Sequence, residues 1–429
     1  MSGALYIHDF GVCTAIGSDR DLVWKALCEG GLSNFTRQSF CGKERLVGKI
    51  SDAELFPVKN PFYDNRVNRL SEKVLSQMER SVSEIVKKFG SERVGVFVGS
   101  SDNGSEESFS ALKFFRENGF FPKGYSLKKQ QADFVAEFIA DRFCLKGPVF
   151  THSSACASSA SAFASARNWL EAGFCDAAIV GGVDIASLTV VLGFDSLEAV
   201  SLSPTNPFSG NRAGLTIGEA AAFFVVSLRR ENATVMLTGI GESADAEHVT
   251  APRVDGLGAR LAMEKALADA GISPPDVDYI NLHGTGTKLN DAMECVAVHD
   301  VFGNGIPASS TKGLTGHTLG AAGALEAAFC CLALSDRNEK HLLPVHRFDG
   351  VRDPALPEIH LVFPGESSRR LKTCISNSFG FGGCNVALVL EKIELQNLTR
   401  EKNCPVWFRT RERCFCSIGS FPLTWKKRK

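Results

Sequence analysis

No Cys-x-x-Cys pair occurs among the 14 cysteines, and the only close thiols are Cys330 with Cys331 and Cys414 with Cys416. A structural zinc site therefore has no ligand pattern to build on, and no metal is expected. No run of about 18 apolar residues occurs, the densest stretches being AAAFFVV and AAFCCLALS, so no membrane span is expected. The opening MSGALYIHDFGVCTAIGSD lacks a basic start followed by a long apolar segment, and it reads as a buried strand entering a glycine turn rather than a secretory signal. A cytoplasmic protein with reduced thiols follows as the expectation, its cysteines serving as small buried hydrophobes. An excess of either charge is also missing: 47 Lys and Arg against 48 Asp and Glu leave a net charge of −1, which gives no footprint for nucleic acid. No Pro/Ser-rich or single-sign linker interrupts residues 1–394, and no internal repeat is visible.

What the chain does hold is length and apolar residues, 429 positions of which 44% are hydrophobic and 22% charged, enough for a large core. Short β-rich runs (ALYIHDFGV, RVGVFVGSS, DAAIVGGVD, AAAFFVVSL, VDYINLHG, NVALVLEKI) alternate with segments of helical character. Helices are expected near 65–89, 129–143, 157–172, 257–270, 291–302 and 319–335. Strands so continuously apolar suit sheets covered on both faces, which makes the class α/β and layered.

Cys156 stands in THSSACASSASAFASARNWLEAG, at the start of an expected helix. A thiol there feels the positive end of the helix dipole, which favours thiolate. Taken alone, a cysteine on an Ala-rich helix is more often structural, so the reading depends on partners. His283 follows the apolar VDYINL and opens the turn HGTGT, with the hydroxyls of Thr285 and Thr287 suited to an amide-bearing substrate arm. The C-terminal ends of parallel strands are where α/β proteins place their chemistry. His317 lies in TGHTLGAAGALEAA, with Lys312 before it and Glu326 after. That segment lacks the GxxxxGK[ST] order, which argues against nucleotide binding. SNSFGFGGCN permits a tight turn beside Phe379 and Phe381 that either aims backbone N–H groups at an oxyanion or joins two strands.

Together, SSACAS, HGTGT, GHTLGAAG and NSFGFGGCN resemble, in this order, the segments of β-ketoacyl-acyl-carrier-protein synthases, the elongating ketosynthase I/II-like members of the thiolase superfamily. The resemblance covers residues 1 to about 394. It implies a thiolase-like fold of duplicated halves in a five-layered α-β-α-β-α sandwich, with residues 1–240 carrying the cysteine and 241–394 the two histidines. It further implies decarboxylative Claisen condensation of an acyl chain on Cys156 with malonyl-carrier, in fatty acid or polyene/polyketide elongation. His283 and His317 would then hold the developing enolate through neutral rings, supported by Lys312 and Glu326. Backbone N–H groups of Cys156 and Phe381 would form the oxyanion hole, Phe381 would gate the pocket, and Thr285 and Thr287 would hold the phosphopantetheine arm. No covalently bound cofactor is implied, since substrates arrive on an acyl carrier protein. The family implies a homodimer or a pair with a related ketosynthase subunit, and carrier docking on a basic patch, for which Arg66 with Arg69 and Lys128 with Lys129 are the candidate pairs.

Cys384 stands where the family usually has Thr, and the stretch SPTNPFSGNRAGLTIGEAAAFFV is closer in character to ketosynthases of aryl polyene pathways than to housekeeping enzymes. Two alternatives share the scaffold: a thiolase-like acyl-CoA acyltransferase and a non-catalytic partner subunit. Residues 395–429 fall outside the resemblance, with nine Lys or Arg against two Glu and three cysteines. They are expected to form a basic, disordered tail.

Overall fold

A computed structural model describes residues 3–31, 35–102 and 104–394; the expected tail at 395–429 lies outside the described residues. In chain order the strands are β1 (Leu5–Thr14), β2 (Thr36–Phe40), β3 (Lys43–Gly48), β4 (Val94–Gly99), β5 (Val149–His152), β6 (Ala177–Asp184) and β7 (Ile217–Gly218). They continue with β8 (Ala220–Ser227), β9 (Val235–Ala244), β10 (Tyr279–Asn281), β11 (Pro307–Ser309), β12 (His360–Leu361), β13 (Thr373–Gly380) and β14 (Cys384–Lys392). The helices are α1 (Arg20–Glu29), α2 (Arg66–Leu75), α3 (Glu79–Phe89), α4 (Ser105–Asn118), α5 (Phe134–Arg142) and α6 (Ser158–Glu171). After them come α7 (Leu188–Ser196), α8 (Leu257–Ala270), α9 (Lys288–Phe302), α10 (Lys312–Thr315) and α11 (Ala322–Leu334).

The strands run in the order β5-β4-β6-β8-β1 and then β9-β14-β13-β10-β11-β12. These two mixed sheets are joined by a short antiparallel pairing of Leu5–Ile7 with Val235–Leu237. Wholly buried strands such as AAAFFVVS in β8 and VGVFVG in β4 lack the polar alternation of a one-faced sheet because helices cover both sides. Helix α11 is buried at every position, since it packs against β13 and β14 on one side and β8 and β6 on the other. Helix α6 lies beside it and touches β4, β6 and β14. With α2, α3 and α5 outside the first sheet and α8 and α9 outside the second, the result is the expected α-β-α-β-α sandwich. The boundary expected at residue 240 falls inside β9, which pairs along its length with β14 and belongs to the second sheet.

Most differences from expectation have local causes. The helix expected at 65–89 is broken into α2 and α3 around Ser76–Met78, where the Gln77 side chain is held by Val12 and the carbonyl of Ser18. Helix α4 buries only Ala111 and leaves Phe109, Leu112 and Phe115 exposed, so its apolar residues mark no core face. Helix α7, LTVVLGFDS, is built from weak helix formers. Among the described residues no helix is long and apolar enough to cross a membrane, and the described cysteines are free.

Candidate functional site

The site forms where the central helices meet the ends of both sheets. Cys156 sits in a 3-10 turn, Ala155–Ala157, that leads into α6. Ala155 before it has φ 49°, a left-handed conformation that costs a residue with a Cβ about 1–3 kcal/mol and is characteristic of functional turns. Gly99 at the end of β4 lets the first turn of α6 pack onto the sheet, because a Cβ there would run into the backbone of Ser159. The Ser159 hydroxyl donates no slack to its neighbour either: its oxygen accepts the N–H of Ala324 at 2.9 Å, tying α6 to α11.

His317 precedes α11 and is fixed through its backbone, its N–H donating to Thr216 O at 2.7 Å and its carbonyl accepting from Gly218 at 2.9 Å. Its Nε2 lies 2.9 Å from Cys156 Sγ. The His283 ring stands edge-on to it, with centroids 5.3 Å apart and planes at 85°. Lys312 and Glu326 form a buried ion pair behind them. The five residues expected to act together are thus brought together.

Burial decides the electrostatics. It pushes the Cys156 thiol up to about 12, against the pull of the Lys312 charge and of the Phe381 N–H directed at the sulfur. Removal from water thus opposes the thiolate expected from the helix end. Burial first, then Lys312, hold both imidazoles well below the usual histidine range, with His317 adding to the effect on His283. Both shifts favour the neutral form of the rings at neutral pH. Burial raises Glu326 to about 7 while Lys312 acts to lower it.

The turn after β13 closes the site. Gly380 approaches the nucleophile so closely that a Cβ would stand 2.9 Å from Ser154 O and 3.3 Å from Cys156 N. The Phe381 ring lies 5.6 Å from that of Phe194. A cavity of about 400 Å³ opens onto Cys156, His283 and His317 and is lined by Thr285, Thr287 and Phe381 among others. The hydroxyls of Thr285 and Thr287 are 2.9 Å apart.

Three carboxylates were missed in the sequence. Glu294 accepts the N–H groups of His283 at 2.7 Å and Gly284 at 2.6 Å, and Asp291 accepts those of Gly286 at 3.1 Å and Phe208 at 2.8 Å. Both come from α9 and hold the HGTGT turn from behind; the signal was the Asp-x-x-Glu spacing just after the motif. Asp184, at the end of β6, gathers Ser101 N, Asp102 N, Gly320 N and the hydroxyls of Ser100 and Ser101. It pins the loop after β4 to the segment following His317.

None of the four expected docking residues lines the cavity. Arg66 is corrected: its guanidinium turns inward to Glu219 at 2.8 and 2.6 Å and to Ile50 O at 2.7 Å, and it also pairs with Asp52. Arg69 is bonded twice to Asp64, Lys128 pairs with Glu137 at 2.7 Å, and Lys129 lies 6.0 Å from the Phe62 ring centroid.

The ligand atoms of Cys156, His283 and His317 lie within 4.8 Å of one another. A zinc ion with bonds of about 2.0–2.3 Å could span three such donors. The 2.9 Å contact of thiol and imidazole is, however, a hydrogen-bond distance, and the charged Lys312 bears on all three groups.

Comparison with known proteins gives the site a context. Residues 10–232 match the family model described as β-ketoacyl synthase, N-terminal domain, and residues 234–345 match its C-terminal domain. Nodulation protein E of Rhizobium sp. (strain N33) is 32% identical over 92% of this chain and 100% of its own. A 3-oxoacyl-[acyl-carrier-protein] synthase 2 of Staphylococcus aureus (strain COL) is 29% identical over 90% and 98%. Among solved structures, the ketosynthase ApeO in complex with its chain length factor ApeC, from Xenorhabdus doucetiae, aligns with a TM-score of 0.83 and 39% identity, covering 91% of this chain and 98% of that one.

Proposed function

This chain belongs to the β-ketoacyl synthase family, and from that premise we propose the part each site residue plays. The protein is a condensing acyltransferase: it elongates an acyl chain with malonyl units delivered on an acyl carrier protein. Its substrates come on the carrier's phosphopantetheine arm.

Cys156 Sγ attacks the carbonyl carbon of the incoming acyl thioester. The oxyanion is held by the N–H groups of Cys156 and Phe381, the pantetheine sulfur departs, and the thiol proton leaves with it. The Nε2–H of His317 donates to the sulfur and stabilises its anionic form, which offsets the burial that pushes the thiol up. Malonyl-carrier then enters beside Thr285 and Thr287. Loss of CO₂ leaves an electron pair that becomes an enolate, its oxygen accepting N–H bonds from His283 and His317. The enolate carbon attacks the acyl-cysteine carbonyl, the carbon–sulfur bond to Cys156 breaks, and the free thiol is restored on uptake of a proton. One N–H of His317 thus serves the sulfur and the enolate in turn. Burial, aided by the charge of Lys312 paired with Glu326, keeps both rings neutral. Phe381, packed on Phe194, guards the entrance.

The observation that carries this reading is the 2.9 Å approach of His317 Nε2 to Cys156 Sγ with His283 edge-on behind it. The family models matched are those of β-ketoacyl synthases, which supports carrier-bound rather than CoA-bound substrates. The presence of both nucleophile and histidines supports a catalytic subunit over a silent one, and the likeness to a ketosynthase complexed with a chain length factor supports pairing with a related subunit. We place the enzyme in the cytoplasm, in keeping with its 3-oxoacyl-[acyl-carrier-protein] synthase 2 relatives, and in polyene-type elongation of the aryl polyene kind, on the strength of the SPTNPFSGNRAGLTIGEA stretch and of that likeness.

Intact mass after incubation with a panel of acyl-carrier thioesters, followed by malonyl-carrier, tests the whole scheme. An acyl increment on Cys156 that malonyl-carrier discharges as β-ketoacyl product is expected. Failure to acylate, alone and with a partner subunit present, would overturn it.

A further inference from the structure

His346 is a buried imidazole, 2% exposed, that neither lines the cavity nor enters the chemistry above. Its Nδ1 accepts the N–H of Ser310 at 3.0 Å, and its Nε2 lies 3.2 Å from Pro207 O. These partners dictate the tautomer, because an N–H needs a bare nitrogen and a carbonyl needs an N–H. The ring is neutral with its proton on Nε2, wedged against Phe348 and Phe208 at 5.0 and 5.9 Å.

Ser310 passes this constraint on. Its hydroxyl donates to Gly284 O at 2.6 Å and accepts the N–H of Lys312 at 3.3 Å. One side therefore leads to the residue beside His283 and the other to the backbone of the lysine that charges the site. The packing has no slack, since a Cβ on Gly284 would meet the Ser310 side chain at 2.5 Å and the Phe208 ring at 2.7 Å.

We propose that His346 is a positioning residue for the decarboxylation and condensation steps, acting through Ser310 on the segments that carry His283 and Lys312. This rests on the roles given above to the two catalytic histidines. An apolar residue could fill the space between the two phenylalanines; only an acceptor can hold the buried Ser310 N–H in place. Burial pushes the His346 imidazole down to about 4, so that acceptor persists throughout the neutral range.

The test compares wild type with His346→Leu, His346→Asn and Ser310→Ala. For each, Cys156 acylation, CO₂ release from malonyl-carrier, kcat and KM for condensation, and melting temperature are measured. In His346→Leu, CO₂ release and kcat should fall about tenfold, as small displacements of catalytic groups do, with KM and acylation kept within about twofold. His346→Asn, whose Oδ1 can accept the Ser310 N–H, should recover most of the loss, and Ser310→Ala should show the same split from the other end. Condensation at the wild-type rate in His346→Leu would overturn the proposal. So would acylation falling in step with CO₂ release, or an Asn variant no better than Leu. If the Leu variant does not fold, the Asn and Ala variants decide alone, the proposal standing only if Ser310→Ala shows the split while Asn condenses near the wild-type rate. A wild type that is acylated but never condenses would instead sink the functional reading beneath it.

Discussion

Lys312 reaches Glu326 across the interior, both side chains almost wholly removed from water at 1% and 3% exposure. Breaking such a pair leaves an uncompensated buried charge, whereas replacing both members with apolar groups of similar size is often neutral. Lys312→Ala is expected to cost about 3–5 kcal/mol of stability. The double variant Lys312→Met with Glu326→Leu should recover most of it while condensation stays low. Denaturant unfolding and steady-state rates on the same preparations separate the two effects, and a double variant with wild-type activity would remove the pair from catalysis.

In the proposed scheme the histidines divide the reaction between them. His317 touches the sulfur, so His317→Ala should slow both acylation of Cys156 and CO₂ release. His283 does not, so His283→Ala should leave acylation largely intact and lower CO₂ release by about a hundredfold or more, the usual effect of losing an oxyanion donor. Separate assays of the two half-reactions check this, and equal effects of the two variants on acylation would contradict it.

Burial pushes the Cys156 thiol up to about 12, so only a minor fraction is thiolate at neutral pH. Because the reactive form is the anion, alkylation of Cys156 by a small haloacetamide should climb steadily with pH and show no plateau between about 7 and 9. A plateau near neutrality would mean that the His317 bond and the helix end outweigh burial.

Asp184 holds the loop after β4 and the turn between α10 and α11 on one carboxylate, and burial raises it to about 7. A carboxyl raised on folding binds its proton in the folded state while the unfolded chain has lost it, so its contribution to stability diminishes as pH rises from about 4 through 7. Asp184→Asn turns an amide group toward backbone N–H donors and should cost about 1–3 kcal/mol for each one left unpaired. Its melting temperature should also vary less between pH 5 and 8 than that of the wild type. Equal pH dependence of the two proteins in thermal melts across that range would mean that the carboxyl stays ionised throughout.

Arg66 and Arg69 stand one helical turn apart and should respond differently to substitution. Arg66 is 17% exposed and bound to Glu219, so Arg66→Ala should lower the melting temperature. Arg69, 36% exposed, is the better candidate for carrier docking, and Arg69→Glu or Lys128→Glu should raise KM for carrier-bound substrate without changing kcat. Unchanged KM in both would move docking elsewhere on the surface.

The residues that gather around the cavity were legible in the sequence because each lies in a short segment whose small residues serve one purpose, close approach. Cys156, His283, His317 and the turn at Gly380 all announced themselves this way. Strands β8 and β4, apolar throughout, were equally plain. Asp184, Glu294 and Asp291 were not, because a carboxylate that binds backbone N–H groups leaves no pattern around itself; its partners are far away in the chain. The same holds for Arg66, which looked like a surface charge on a helix until Glu219 was found opposite it. Burial of the thiol was not legible either, since a helix end can be seen in one dimension and burial cannot.

The central layer of α6 and α11 takes one helix from each half, and the thiol and its imidazole partner meet at the N-terminal ends of those two helices. A ribosome that has released only the first 240 residues has made a nucleophile with no histidine to serve it and no closed cavity around it. The proposed chemistry needs residues from both halves in one cavity.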